Sequence, residues 1–316
     1  MSTKSTPLSR REFACKSVLS AGAILALSRR GAGSSTNRIP LGGPVFGPIH
    51  DPEAWARAHL DLGYAAAYCP AKASDPDEVA QAYAKAAASA NVIIAEVGAW
   101  SNPISPNAEE RDKALQKCRE QLALADRIGA RCCVNISGSR NAQKWDGPDP
   151  LNLTPETFDM IVESTRAIID FVKPTRTFFT LETMPWAYPD SVESYEKLIK
   201  AIDRKRFAVH LDPVNLICSP QRYYGNADLI RACFKRLGAQ IKSVHAKDIL
   251  LSTQLTTHLD EVIPGNGGLD YAVFLREMAR LPGVPLMLEH LKTAEEYQQA
   301  ASHVRRVAAA NRIAVS

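Results

Sequence analysis

Short apolar runs alternate with longer amphipathic runs eight times along the chain, starting near residue 38. Short apolar runs bounded by turn residues are typical of buried strands, and the longer runs have the period of helices with one apolar face. We therefore predict strands at residues 39–45, 64–69, 92–97, 132–136, 177–182, 207–212, 241–245 and 285–289. Helices are predicted at residues 51–62, 76–90, 107–128, 155–172, 191–202, 226–237, 271–281 and 294–310.

Local signals agree with several of these ends. Thr154 before Pro155 predicts an N-cap followed by a proline in the first helical turn. Gly63, Gly129 and Gly238 follow helices where left-handed caps are expected. Eight strand–helix units in one chain of 316 residues predict a (β/α)8 TIM barrel. No Gly-x-Gly-x-x-Gly follows the first strand, which argues against a dinucleotide-binding fold.

The last four predicted strands each end in a metal-binding side chain, namely Glu182, Asp212, His245 and Glu289. The chemistry of such barrels lies at the C-terminal ends of the strands, so we expect the four to meet at one mouth. Three carboxylates and one imidazole suit a divalent ion, whereas a structural zinc site would favour thiolates and no Cys-x-x-Cys pair is present. We predict one divalent metal, with Mn²⁺ favoured and Mg²⁺, Co²⁺ and Zn²⁺ as alternatives.

Further side chains near these strand ends are predicted to contact the substrate. They are His210, Asn215, Lys247, Asp248, His258 and Trp186. His210 faces the same way as Asp212 and has a core histidine as its alternative interpretation. Lys247 would suit an oxyanion, although it and Asp248 could also be solvated. His258 lies in a long predicted loop, residues 250–269, of the kind that forms a lid or substrate wall, and Trp186 would suit the face of a sugar ring.

The first 33 residues predict an export signal and linker, which leaves residues 34–316 as one barrel domain. Ser9-Arg10-Arg11-Glu12-Phe13 is followed by Lys16 and an apolar run over residues 18–27. A twin-arginine pair directly before such a run is typical of the twin-arginine export pathway, and the run is too short to span a bilayer. We therefore expect a periplasmic or exported protein with no other membrane association.

The basic character of the chain belongs to this segment. Residues 1–30 hold six basic residues and one acidic residue, a net charge of +5, while the whole chain carries +4 and the remainder therefore −1. A protein without excess positive charge is a poor partner for a phosphate backbone. We therefore expect no nucleic acid as a partner. The predicted partner is a small carbohydrate, which aromatic side chains such as Trp186 at the barrel mouth would suit, and the sequence leaves a homo-oligomer open.

Residues 38 to 312 resemble the xylose isomerase-like TIM barrels, which include ketose 3-epimerases, hydroxypyruvate isomerase, inosose dehydratase and endonuclease-IV-type nucleases. The resemblance lies in the four strand-end residues and in a Pro-Gly-x-Gly turn at residues 264–267. In the epimerases the matching four residues bind one divalent metal, and the two glutamates also act as acid and base. The resemblance therefore implies catalytic roles for Glu182 and Glu289.

A metal chelated by a sugar carbonyl and the neighbouring hydroxyl acidifies the carbon-bound proton between them and stabilises the resulting enediolate. Returning the proton to the other face gives epimerisation, and returning it to the next carbon gives isomerisation. If a β-oxygen leaves first, the result is elimination. We predict a sugar isomerase or epimerase acting on a keto-sugar or keto-glycoside, with a β-eliminating lyase on 3-keto-glycosides as the alternative.

Two departures from the family narrow this prediction. The ketose epimerases carry a histidine and an arginine where this chain has Asn215 and Leu251, which argues against a free ketohexose. The nucleases need additional histidines at early strand ends, where Cys69 and Trp100 stand here. A non-catalytic, exported sugar-binding barrel is a further alternative, and four intact metal ligands argue against it.

Overall fold

Eight parallel strands close into a barrel in the computed structural model, which describes residues 38–47 and 49–316. The barrel strands are β1 Leu41–Gly42, β2 Ala66–Tyr68, β3 Ile93–Gly98, β4 Cys132–Asn135, β5 Phe179–Glu182, β6 Phe207–Leu211, β7 Ile241–Ala246 and β10 Leu286–Leu288. Neighbours around the barrel are neighbours in sequence, and β10 closes the ring against β1 through the pairs Leu41↔Leu286 and Gly42↔Met287. The predicted (β/α)8 fold is confirmed.

Helices follow the barrel strands as expected. They are α1 Pro52–Asp61, α2 Asp77–Ser89, α3 Ala108–Ile128, α4 Pro155–Val172, α5 Val192–Ile202, α6 Pro220–Tyr224, α7 Asn226–Leu237, α8 Tyr271–Met278 and α9 Ala294–Ala310. Thr154 caps α4 through a hydrogen bond from the Thr157 N–H group, as predicted. Gly129 is left-handed at the end of α3, but Gly238 is right-handed because the chain continues there into a 3₁₀ turn. The short helix α6 was not predicted.

The prediction of a plain loop over residues 250–269 is wrong in part. Two strands, β8 Asp248–Leu251 and β9 Leu259–Val262, pair there as an antiparallel hairpin beside the barrel. Both strands are short, and the segment between them, residues 252–258, is rich in Ser and Thr, so the sequence pattern resembled a turn-rich loop. The consequence is that residues of this region have fixed positions at the C-terminal end of β7.

Tyr195 of α5 shows how a helix positions the strands that carry the site. Its side chain is fully buried, and its hydroxyl lies between the carbonyl oxygens of Leu181 and Ala208. The same hydroxyl accepts a hydrogen bond from the His210 N–H group at 3.2 Å. One side chain therefore ties β5 to β6 near their C-terminal ends.

The predicted export segment, residues 1–33, lies outside the described residues. Within the described residues, no helix combines the length and apolar character needed to cross a membrane.

Candidate metal centre and active site

Four side chains from consecutive strands meet at the C-terminal mouth of the barrel. Glu182 ends β5, Asp212 follows β6, His245 lies on β7 and Glu289 follows β10. Their ligand atoms lie within 4.8 Å of one another. His245 Nδ1 is 2.9 Å from Glu289 Oε2, 3.2 Å from Glu182 Oε1 and 3.8 Å from Asp212 Oδ2. The structure therefore brings all four predicted ligands together.

Backbone contacts aim Asp212 at this cluster. The Thr183 hydroxyl donates to the Asp212 carbonyl oxygen at 2.6 Å and accepts from the Asp212 N–H group at 3.0 Å. Asp212 Oδ1 accepts from the N–H groups of Val214 and Asn215 at 2.9 and 3.3 Å. Because these contacts occupy Oδ1, the second oxygen, Oδ2, faces the other three ligands.

Lys247, which the sequence analysis predicts to contact substrate, lies inside the cluster. Its ammonium group is 3.0 Å from Asp212 Oδ2 and 3.1 Å from Glu289 Oε2, and the residue is 2% exposed. Burial alone would lower the pKa of Lys247, but the carboxylates of Asp212 and Glu289 hold it well above its usual range. The lysine therefore remains a cation that partly offsets the buried negative charge.

The residues present fit a divalent ion. Asp212 Oδ2 and Glu289 Oε2 are buried and find no hydrogen-bond partner of normal geometry among residues 38–47 and 49–316. Burial would raise the pKa of Glu289, but His245 and Lys247 hold it well below its usual range. Burial would lower the pKa of His245, but Glu289, Glu96 and Glu182 raise it well above its usual range. Ionised carboxylates around one imidazole are what a hard divalent cation requires, and its binding would displace the proton from Nδ1.

Glu96 of β3 was missed by sequence reasoning. It is fully buried, and its Oε1 is 3.0 Å from His245 Nε2, while Oε2 is 2.7 Å from His210 Nε2 and 2.9 Å from the Ser243 hydroxyl. Burial would raise the pKa of Glu96, but His245 and His210 hold it well below its usual range. Because a carboxylate only accepts, each imidazole must carry a proton on Nε2. Glu96 therefore leaves Nδ1 of His245 directed at the metal cluster.

A cavity of about 510 Å³, here called the inner cavity, opens onto the cluster. Its lining residues are Trp100, Ile136, Lys144, Trp145, Asp146, Glu182, Met184, Pro185, Trp186, Asn215, Lys247, Glu261, Glu289 and His290. Glu182 and Glu289 line it, whereas Asp212 and His245 lie behind them. The two glutamates are thus the ligands that a molecule in the cavity would meet.

The fold agrees with a comparison to known families. A family model described as xylose isomerase-like TIM barrel matches residues 56–307. The chain belongs to this family. No curated protein matches the sequence significantly.

Solved structures of several enzymes share the fold. The chain is similar to 3-keto-D-glucoside 4-epimerase from E. coli, with a TM-score of 0.61, 11% identity, and coverage of 86% of this chain and 100% of that one. Endonuclease IV from Thermus thermophilus has a TM-score of 0.65 and 13% identity, and the match covers 86% of this chain and 99% of that one. The probable 3-DHS dehydratase AsbF from Bacillus anthracis has a TM-score of 0.63 and 15% identity, and the match covers 87% of this chain and 99% of that one. At these identities the likeness shows the fold of the xylose isomerase-like barrels and leaves the reaction open.

The other predicted substrate residues occupy different places in this family member. Asn215 lines the inner cavity, but its amide donates to Glu182 Oε1 at 3.1 Å and to the Thr183 carbonyl at 3.0 Å. Trp186 also lines the cavity and donates through Nε1 to the Asp146 carbonyl at 2.8 Å. His210 lies beneath the cluster, fully buried, as a partner of Glu96.

Asp248 and His258 lie away from the inner cavity. Asp248 is buried, and its carboxylate accepts from the N–H groups of Gly265, Gly267 and Leu269 at 2.8 to 3.1 Å. A Cβ atom at Gly267 would lie 2.4 Å from Asp248 Oδ1, so a glycine is required for this close approach. Asp248 therefore holds the Pro-Gly-x-Gly turn. His258 lies on the hairpin loop, with Nε2 at 2.8 Å from the Thr256 hydroxyl.

Two cavity residues, His290 and Glu261, were not predicted. His290 directly follows Glu289 with φ of +59°, a left-handed conformation that is uncommon for a residue other than glycine. Its Nδ1 lies 3.2 Å from Glu261 Oε2, and Glu261 comes from strand β9. The strained backbone turns the imidazole toward the mouth, and the hairpin adds a fourth carboxylate beside Lys247.

Proposed function

We propose that this protein is a divalent-metal-dependent isomerase or epimerase that moves a proton beside the carbonyl of a keto-sugar or keto-glycoside. The observation that carries the proposal is that two of the four candidate ligands, Glu182 and Glu289, also line the inner cavity. A pair of carboxylates facing the substrate supplies both a base and an acid for proton transfer. The tryptophans of the cavity support a sugar as the substrate.

A bound divalent ion would polarise a sugar carbonyl and its neighbouring hydroxyl, which acidifies the carbon-bound proton between them. Glu182, Asp212, His245 and Glu289 would hold this ion. The low pKa of Glu289, which burial would raise but the charges of His245 and Lys247 lower, keeps its carboxylate ionised at neutral pH. In our proposal one glutamate removes the proton and the other returns it. Lys247, 3.1 Å from Glu289 Oε2, would stabilise negative charge on the substrate oxygen.

We propose Mn²⁺ as the preferred ion, because three hard oxygen ligands and one imidazole suit it and because the site contains no thiolate. Mg²⁺, Co²⁺ and Zn²⁺ are the alternatives. Calorimetric titrations under identical conditions test this preference, since they give the stoichiometry and affinity of each of the four ions.

β-Elimination from a 3-keto-glycoside would use the same first step, with the aglycone oxygen leaving in place of reprotonation. His290 lines the inner cavity and pairs with Glu261, so a proton donor for a leaving oxygen is present. The same residues therefore serve either outcome, and the product separates a lyase from an isomerase or epimerase.

The test is solvent exchange. The Mn²⁺-loaded protein in D₂O is offered ketoses and 3-keto-glycosides, and NMR follows deuterium entry beside the carbonyl and the product formed. We expect exchange that is lost in Glu182→Gln and in Glu289→Gln. Metal content is measured for each variant, and Asp212→Asn serves as the variant that removes a ligand but keeps both glutamates.

Exchange that survives in both glutamate variants at full metal occupancy would contradict the assignment of acid and base. A metal-loaded protein that exchanges no substrate in the panel but binds sugars would instead support the non-catalytic sugar-binding alternative.

We also propose that the protein is exported to the periplasm through the twin-arginine pathway. The proposal rests on Arg10 and Arg11 before the apolar run over residues 18–27. Fractionation of cells that express the full chain should place it in the periplasm. Replacing both arginines with lysine should retain it in the cytoplasm, and unchanged export would contradict the proposal.

A further inference from the structure

A second cavity, here called the outer cavity, adjoins the inner one. It has a volume of about 520 Å³, and the two cavities share Trp100, Lys144 and Trp145 as walls. Its remaining lining residues are Ser101, Asn102, Glu110, Lys113, Ala114, Lys117, Asn141, Ala142 and Gln143. Each cavity falls in the range of small-molecule sites, about 300–1,000 Å³. The mouth of the barrel therefore offers two adjacent compartments, and only the inner one contains the metal cluster.

Trp100 is held in place as the wall between the compartments. A Cβ atom at Gly98 would lie 2.3 Å from Trp100 Nε1, so glycine is needed for the indole to fold back over the end of β3. The ring packs against the buried side chains of Ile136 and Met184. Lys117 donates to the Trp100 carbonyl oxygen at 3.0 Å. The indole therefore presents a fixed apolar surface.

The loop that carries Trp145 is also fixed. Asn141 Oδ1 accepts from the N–H groups of Gln143 and Lys144 at 2.8 and 2.9 Å. The carbonyl of Asp146 accepts from the indole of Trp186 at 2.8 Å, which joins this loop to the one after β5. Trp145 is nevertheless 42% exposed. An anchored loop with an exposed aromatic side chain is suited to stack on a ligand.

The polar groups of the outer cavity fit a neutral, hydroxyl-rich ligand. The charge of Lys113 is offset by Glu109 at 2.5 Å, and Lys144 Nζ lies 3.7 Å from Asp146 Oδ1. Of the two other charged lining residues, Lys117 is basic and Glu110 acidic, so the cavity has little net positive charge for an anion. Gln143 is exposed in this lining, and its side-chain amide can both donate and accept. Sugar hydroxyls require this mixture of donors and acceptors, and the C–H faces of sugar rings suit indoles.

We propose that the ligand is a glycoside of at least two sugar units, with the reacting ring in the inner cavity and the next ring in the outer cavity. The inference rests on the proposed function, because it takes the inner cavity to hold a keto-sugar ring. The group attached to the reacting ring is then itself a sugar, whether or not it leaves in the reaction. Trp145, Gln143 and Lys117 would recognise this second sugar.

The test compares one ring with two. The Mn²⁺-loaded full chain is titrated calorimetrically with methyl β-D-glucoside and with cellobiose, and kcat/KM for deuterium exchange is measured with the C3-keto form of each. We expect the two-ring compound to be favoured about tenfold in both measurements, since stacking and two hydrogen bonds contribute on that order. In the double variant Lys117→Ala, Gln143→Ala this ratio should fall to about threefold, because only the stacking on Trp145 remains.

A matched control removes the same residue types from exposed helix positions, Gln81→Ala with Lys197→Ala, and should keep the ratio. Gln143→Ala alone should lower the ratio by an intermediate factor. Exchange on both keto compounds with equal kcat/KM would overturn the outer site and leave the proposed function in place. Tighter binding of cellobiose without exchange on either keto compound would support the outer site and overturn the proposed function.

Discussion

At the scale of single residues, Glu96 should control metal binding without touching the metal. Its carboxylate accepts from His245 Nε2 at 3.0 Å and from His210 Nε2 at 2.7 Å. In Glu96→Gln an amide N–H₂ replaces one acceptor oxygen, so one imidazole loses the contact that fixes its tautomer. We expect affinity for Mn²⁺ to fall by about 10- to 100-fold, as for other residues that orient metal ligands. Isothermal titration calorimetry measures it.

The control is Ser243→Ala, which removes one hydrogen bond to Glu96 Oε2 and leaves both histidine contacts. It should change the affinity by less than about threefold, given the modest net value of one neutral hydrogen bond. Equal losses in the two variants would show that general disruption of the core, and not orientation of His245, is responsible.

Glu96 differs from the four predicted ligands in its position along its strand. Glu182, Asp212, His245 and Glu289 could be predicted because each ends an apolar run and barrel strands end at one mouth. Glu96 lies within such a run, where a carboxylate has no distinctive pattern, and its partners lie on β6 and β7. His290 depends on a left-handed backbone that the sequence does not indicate. The roles of Glu96 and His290 depend on contacts between residues that are far apart in the sequence.

At the scale of elements, Asp126 at the end of α3 should stabilise the turn that leads into β5. Its carboxylate accepts from the N–H groups of Arg176, Thr175 and Thr177 at 2.6 to 3.0 Å. Burial would raise the pKa of Asp126, but these N–H groups lower it. Since the folded pKa is depressed, the stabilisation is present above the unfolded pKa of about 3.9 and is lost as pH falls through the folded value.

We expect Asp126→Asn to lower the free energy of unfolding by about 1–2 kcal/mol at pH 7. The difference from the wild type should narrow below about pH 4, where the Asp126 carboxylate of the unfolded wild-type chain begins to take up its proton. Urea unfolding at several pH values measures this difference. Asp112→Asn, an exposed change on the same helix, is the control and should show no such difference.

The elements themselves were largely predictable, because eight apolar runs and eight amphipathic runs determine a closed parallel sheet surrounded by helices. The hairpin of β8 and β9 could not be predicted, because its strands are partly exposed and carry no sustained alternation of apolar and polar residues. This element brings Glu261 to within 3.8 Å of the Lys247 ammonium group. The missed element therefore also accounts for a missed site residue.

At the scale of the whole molecule, metal binding should stabilise the barrel by linking four adjacent strands. The ligands come from β5, β6, β7 and β10, which are neighbours in the closed sheet. An ion that binds only the folded state at about 100 times its Kd stabilises by about 2.7 kcal/mol. For a domain of this size we expect Mn²⁺ to raise Tm by a few degrees. Differential scanning calorimetry over a Mn²⁺ series measures the shift.

Lys247 should influence how far Mn²⁺ raises the Tm. In the metal-free protein its ammonium group lies 3.0 Å from Asp212 Oδ2 and 3.1 Å from Glu289 Oε2, so it already offsets part of the carboxylate repulsion. Lys247→Met removes this cation while keeping most of the side-chain volume, so the metal-free variant should melt below the wild type. The rise in Tm on adding Mn²⁺ should then be larger than in the wild type. A rise that is equal or smaller would mean that Lys247 supports the metal and does not stand in for its charge.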